Sequence, residues 1–167
     1  MIQGIEQPDI IQINSSLRLK KFDGYYDFAY QWYLDKETVR LVDGEDATVY
    51  DMERLHRMYD CLNNQGELYF IEIKELNKYI PIGDVTFWQE DMPIVIGDKS
   101  YRNCGIGLLV IKTLIKRAIN IGYKTIYVNE IYDYNESSKA VFIKAGFKEY
   151  KKTELGSAYL LNLENYK

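Results

Sequence analysis

The sequence is poor in the residues that staple small folds or hold metals. Its 167 residues include two cysteines, Cys61 and Cys104, and a single histidine, His56. Two thiols without metal-ligand spacing argue against a disulfide framework and a zinc cluster, so no metal is expected. No apolar run reaches the ~18 residues of a membrane-spanning helix. The opening Met-Ile-Gln-Gly-Ile-Glu-Gln-Pro has neither the basic nor the apolar region of a secretory signal. The expectation is a cytoplasmic protein without membrane association. A net charge of −4 argues against wrapping nucleic acid, a mode that needs a basic face to displace counterions, so nucleic acid is not an expected partner.

What is present is an ordinary globular composition, 47% hydrophobic and 28% charged, long enough for one sizeable core. A single domain over residues 1–167 is expected, with 1–16 as an extended lead-in. Alternation and spacing predict a strand over 17–22, an aromatic-rich helix over 25–34, a loop through 43–46 and a helix over 50–62. Two strands over 68–74 and 79–88 follow, joined by Glu75-Leu76-Asn77-Lys78 as an antiparallel hairpin. After the central stretch come a strand over 125–131, a helix over 135–145 ended by Gly146, and strands over 147–152 and 157–163. That order reads as mixed α/β around one sheet. Charge is uneven along it. From Asp23 to Glu53 nine acids face Lys36 and Arg40, whereas from Asp98 to Arg117 five bases face Asp98. The first stretch suits solvated helix faces or a wall for a cation, the second an anion.

The chain is organised around residues 92–122. Met92–Ile96 is a short β-branched strand, and Ile111, Leu114, Ile115, Ala118 and Ile119 recur at helical spacing before Gly122. Between them lies Arg102-Asn103-Cys104-Gly105-Ile106-Gly107. Two glycines there let backbone N–H groups approach a ligand, and the first helical turn adds unpaired donors at a positive dipole end, which suits a phosphate. Glycines also serve ordinary tight turns. A P-loop needs Gly-Lys-Ser/Thr, but Leu108 and Leu109 follow Gly107; a dinucleotide fingerprint needs a third Gly or Ala where Val110 stands.

This loop resembles the Arg/Gln-x-x-Gly-x-Gly/Ala motif of the Gcn5-related N-acetyltransferases at Arg102, Gly105 and Gly107. A second block, Asn135 to Phe147, is similar to that family's Asn-x-x-Ala/Ser-x-x-x-Tyr-x-x-x-Gly-Phe at Asn135, Ser138, Gly146 and Phe147. Asn135 and Gly146 also read as the two caps of a surface helix. The resemblance spans residues 17–163. It implies a mixed, mostly antiparallel central sheet flanked by helices, with acetyl-CoA as co-substrate and an amine as acceptor. Trp32-x-x-Asp35-x-Glu37 looks like the branch acting on ribosomal protein termini or aminoglycosides. A monomer or homodimer is the expected assembly.

By the same resemblance the loop Arg102–Gly107 takes the pyrophosphate, the backbone of Ile94, Val95 and Ile96 takes the pantetheine arm and polarises the thioester carbonyl, and Asn135, Ser138 and Phe142 complete the cofactor set. The family often has a tyrosine as general acid where Phe142 stands, and Phe142 has no proton to give. A thiol of pKa ~8.5 is already a fair leaving group at neutral pH, so the loss is tolerable, and Tyr132 or Tyr134 are candidate substitutes. Without an acid, a non-catalytic acyl-CoA-binding or sensor protein is the alternative to an enzyme. Two carboxylates fall where branches of the family place a base: Asp91, expected to be a hydrated turn residue, and Glu130, expected to be partly buried in an apolar strand end and therefore preferred.

Overall fold

A two-residue turn at Leu76-Asn77 has positive φ at both positions, 43° and 67°, the backbone that lets strands of right-handed twist fold back on each other. It joins β3 (Glu67–Glu75) to β4 (Lys78–Phe87). In this computed structural model, which describes residues 2–164 and 166, these strands sit inside a five-stranded sheet. Its order is β1 (Ile10–Gln12), β2 (Leu17–Lys21), β3, β4 and β5 (Ile94–Ile96). β2 lies antiparallel to β1 and to β3, with Leu19 opposite Ile71, and β5 lies antiparallel to β4, with Val95 opposite Asp84. These strands belong to one of two compact units, Met1–Thr86 with Ile94–Cys104.

Three helices complete this unit. A 3-10 turn, Asp27–Ala29, leads into α1 (Tyr30–Tyr33); α2 (Lys36–Asp43) and α3 (Met52–Gln65) follow. α2 is capped by Asp35, whose carboxylate accepts the Thr38 N–H, and α3 by Asp51 in the same way to Arg54. The core is aromatic: Trp32, Tyr33, Tyr50, Tyr59 and Phe70 pack with Val39, Leu55 and Leu68. Three carboxylates are buried in this unit, Glu67, Glu72 and Asp84. Asp84 is 3% exposed and accepts hydrogen bonds from the Tyr33 and Tyr59 hydroxyls, each at 3.0 Å.

Burial pushes the Asp84 carboxyl up to about 6, against the two tyrosine donors that favour its charged form. A carboxyl raised in the folded state keeps its proton there after the unfolded chain has lost it. Its stabilising contribution is therefore full below pH ~4 and lost as pH rises through ~6, a change of about 3 kcal/mol. Urea unfolding of the wild-type protein is expected to lose about 2 kcal/mol more stability between pH 4 and pH 6.5 than Asp84→Asn does. Parallel pH profiles for the two proteins would remove the assignment.

The second unit is Phe87–Pro93 with Gly105–Lys167. It holds α4 (Ile106–Asn120), β6 (Thr125–Tyr132), α5 (Glu136–Lys144), β7 (Lys148–Lys152) and β8 (Gly156–Asn162). Its three strands run in the order β6-β8-β7, and both pairings are antiparallel. α4 buries Ile111, Leu114, Ile115 and Ala118 as its spacing predicts, together with Val110, whereas Ile119, expected on the same stripe, is 41% exposed. β7 is the end strand and carries Lys-Glu-Tyr-Lys-Lys fully exposed, so its charges guard an open edge.

The fold class is the expected one, mixed α/β with antiparallel sheets flanked by helices, and its strands fall into two sheets. Two stretches differ from the sequence expectation. The lead-in contains β1, and the predicted helix over 25–34 is broken into the 3-10 turn and α1, with α2 occupying part of the predicted loop. The Asp35 cap resets the helix axis there, because its extended φ of −80° and ψ of 117° interrupt the helical backbone.

Candidate functional site

In the first unit, the residues singled out by the sequence grow from β5 and the turn behind it. β5 is the end strand of its sheet, so one edge pairs with β4 and the other is without a strand partner in that sheet. Ile94, Val95 and Ile96 are each half-buried. Gly97 follows, and the Trp32 indole lies so close over it that any side chain there would overlap the ring. The chain then makes a 3-10 turn over Lys99–Tyr101, capped by Asp98, and reaches Arg102. Asn103 takes a left-handed φ of 60°, a conformation asparagine tolerates better than most residues. Cys104 is exposed, with its sulfur 3.4 Å from the Arg102 carbonyl oxygen and 3.9 Å from that of Ser100.

Arg102 itself is turned inward. Its Nε donates to the Ile96 carbonyl at 2.8 Å, and its Nη2 donates to Thr38 Oγ1 at 2.7 Å. Asp35 stands beside it, paired with Lys99 Nζ at 2.9 Å. Partial burial would raise the Asp35 carboxyl, but Lys99 and the two Thr38 donors outweigh it and hold the group at about 2.

In the second unit, they begin at the start of α4. Gly105 is its N-cap at φ 78° and ψ 0°, and no side chain caps the first turn. In α2, α3 and α5 an Asp or Asn oxygen does so. The first N–H groups of α4 therefore keep their donors for a ligand or water. The two glycines differ in purpose. Gly105 is needed for its left-handed backbone, whereas a Cβ on Gly107 would meet only Val141 Cγ1, at an ordinary 3.8 Å. Nothing in the chain's own packing requires glycine at 107. The opening at the helix start serves something outside the chain, and an anion is what uncapped N–H groups at a positive dipole end attract.

Asn135 and Ser138 come together as the cap of α5, the Asn135 side chain accepting from the Ser138 N–H at 3.1 Å. Phe142 is 2% exposed and packs edge-on against Phe147, with centroids 5.2 Å apart. Tyr132 and Tyr134 stack with centroids 5.4 Å apart.

The two carboxylates reverse their expected environments. Glu130 is exposed, and Asp91 is half-buried. The cause is a bulge in β6: Val128 pairs with Tyr159 and Ile131 with Ser157, so Asn129 and Glu130 together oppose one residue. Strict alternation would place Glu130 on the face of Val128; the extra residue puts Ile131 there instead, at 4% exposure like Val128, and turns Glu130 to water. Asp91 fastens the bulge. Its Oδ1 accepts the Asn129 N–H at 3.2 Å and the Met92 N–H at 2.9 Å, while Oδ2 accepts from Asn129 Nδ2 at 3.3 Å. Burial raises the Asp91 carboxyl despite those three donors.

Three residues with work in this arrangement escaped the sequence reading. Asp84 had a signal, an acid inside the otherwise apolar run Ile82 to Phe87. Thr38 could have been found from the Asp35-x-x-Thr38 cap spacing. Asn129 had none, since a bulge leaves no periodic mark in so short a strand.

Comparison with known proteins places the chain in a family. The chain resembles a domain from Methanocaldococcus jannaschii at 20% identity and TM-score 0.76, over 89% of this chain and 99% of that one. It resembles RimL, a ribosomal-protein α-N-acetyltransferase in complex with coenzyme A, at 16% identity and TM-score 0.74, over 92% and 97%. A spermidine N-acetyltransferase from Vibrio cholerae, in complex with CoA and spermine, is similar at 14% identity and TM-score 0.72, over 92% and 99%. No curated protein matches by sequence. The model of the acetyltransferase (GNAT) family matches residues 26–147, most of the chain and parts of both compact units. The protein belongs to that family and is an N-acetyltransferase.

Proposed function

We propose that the chain works as a single catalytic domain, residues 1–167, that moves an acetyl group from acetyl-CoA directly to a primary amine. The acceptor class is a small molecule such as an aminoglycoside or polyamine, or a protein N-terminus. The observation that carries the cofactor assignment is the uncapped start of α4 with spare room at Gly107. The solved relatives that hold CoA agree with it. Acetyl-CoA supplies a thioester whose carbonyl carbon accepts the amine and whose thiol departs.

The residues divide the work. The N–H groups at Gly105, Ile106 and Gly107 take the pyrophosphate, with Asn103 and Cys104 shaping the approach through the left-handed turn. The free edge of β5 gives backbone partners to the pantetheine arm and the carbonyl. Glu130, held outward on the bulge that Asp91 fastens, takes the proton from the amine. A base has most to do for a lysine-like amine: at pKa ~10.4 about one molecule in 2,500 is neutral at pH 7, against roughly a tenth for an α-amino group near 8. Phe142 cannot protonate the leaving group. A thiol of pKa ~8.5 leaves adequately without help, and Tyr132 or Tyr134 stand as alternative donors. The residues carrying this chemistry need no metal, and the reaction suits a monomer or homodimer in the cytoplasm; among the described residues no helix is long and apolar enough to cross a membrane.

Thiol release from acetyl-CoA over a panel of spermidine, an aminoglycoside and an N-terminal peptide tests the proposal. Release well above the hydrolysis background with at least one amine is expected. Saturable acetyl-CoA binding with no turnover on any of these amines would overturn the proposed acceptor class.

A further inference from the structure

An arginine in a phosphate loop is expected to meet phosphate, but the donors of Arg102 are used within its own unit. Besides the Ile96 carbonyl and Thr38 Oγ1, Nη2 lies 3.5 Å from the Gly97 carbonyl, and Nη1 lies 4.0 Å from Asp35 Oδ2. Thr38 Oγ1 is used twice, since it also donates to Asp35 Oδ2 at 2.8 Å. The Asp35 carboxylate accepts the Thr38 N–H at 3.1 Å and pairs with Lys99. The guanidinium thus spends Nε and Nη2 on fixed oxygens of two segments, while Nη1 stands at ion-pair distance from a carboxylate that Lys99 holds more closely.

From this geometry we infer that Arg102 is a positioning residue, which ties the carbonyl end of β5 to the first turn of α2 through Thr38 and so sets the loop that receives the cofactor. The inference rests on the acetyl-CoA reading for its ligand, though not for the tie itself. A compact ammonium cannot span the Ile96 carbonyl and the Thr38 hydroxyl at once, whereas the fork of arginine does. Thr38, on a helix that carries none of the proposed cofactor contacts, becomes part of the cofactor apparatus through this one hydrogen bond. Its removal leaves Arg102 anchored at one end only.

The test combines ligand binding with a readout on the free protein. Arg102→Met is expected to weaken acetyl-CoA about tenfold in calorimetry and Thr38→Val about fivefold, with the double variant no weaker than Arg102→Met, as for residues acting through one contact. Arg102→Gln, uncharged but able to donate to Ile96, is expected to recover at least part of the loss and to keep the wild-type salt dependence. In the unliganded protein, amide hydrogen exchange should quicken over residues 97–104 and 36–40 in both Arg102→Met and Thr38→Val. Additive losses, or an Arg102→Gln protein as weak as Arg102→Met with a reduced salt dependence, would mark a direct phosphate contact and overturn the inference. Unchanged exchange in both segments would overturn it as well. If the wild-type protein fails to bind acetyl-CoA, the proposed function falls, and the exchange arm still decides whether Arg102 couples the two segments.

Discussion

Gly107→Glu is expected to abolish acetyl-CoA binding, at least ~100-fold in affinity, in a protein that melts no lower than the wild type. The folded state has reasons to tolerate the change. A side chain at 107 starts in ordinary contact with Val141, and the residue lies in the first turn of α4 with no left-handed φ. Replacing a helical glycine gains up to about 1 kcal/mol of propensity, and a carboxylate near the positive end of the helix adds a few tenths. The same carboxylate occupies the space and the charge meant for a pyrophosphate. Gly105→Glu does not separate these effects, because the φ of 78° there strains any side chain. Calorimetry beside a thermal melt checks the expectation, and undiminished affinity in folded Gly107→Glu removes the anion site from α4.

Glu130→Gln is expected to lower kcat/KM by ~100-fold or more with little change in acetyl-CoA affinity, as for loss of a general base. The expected burial of this carboxylate is not what favours it, because the bulge turns it to water. What favours it is access: an exposed carboxylate can reach an incoming ammonium, whereas the oxygens of Asp91 accept three N–H donors. Asp91→Asn is expected to cost about tenfold, through a loosened bulge rather than a lost proton acceptor, because its amide cannot accept at both positions. The pH profile separates the two carboxylates. Disappearance of the acidic limb in Glu130→Gln supports the assignment. A limb that persists in Glu130→Gln and disappears in Asp91→Asn transfers the base to Asp91, whose raised carboxyl would then set it.

The sequence reading was strongest where one period runs long enough to be counted. The apolar stripe of α4 up to Ala118, the hairpin of β3 and β4 and the α5 block were legible because Ile111 to Ala118, Leu68 to Lys74 and Asn135 to Gly146 each satisfy one template. α2 was not legible. Its eight residues hold only Val39, Leu41 and Val42 as strong apolar markers, and the Asp35 that starts it reads equally well as a loop acid. Within the site, the glycines of the loop were legible by type but not by purpose: only the backbone angles separate Gly105, a turn requirement, from Gly107, an opening. The direction of Arg102 was beyond reach, since its partners Thr38 and Ile96 come from opposite sides of a long sequence gap. Glu130 shows the sharper limit. One inserted residue inverts every facing downstream of it, and alternation offers no warning.

The pairing of β2 with β3 also bears on how fast this chain acquires its shape. The Leu76-Asn77 hairpin is local and forms within microseconds by ordinary hairpin kinetics. β2 has a longer wait. Lys21 must find Tyr69 across the segment that holds α1, α2 and α3, and closing a loop of about 45 residues costs ~3 kcal/mol of chain entropy before any contact repays it. Until then the Leu19 and Ile71 faces have no partner, so the slow step of this unit is the capture of its own N-terminal strand by a hairpin already made. A nascent chain emerging from a ribosome displays β2 long before β3 exists, and in that interval the strand's flanking Arg18, Lys20 and Lys21 are what keep it from pairing with a stranger.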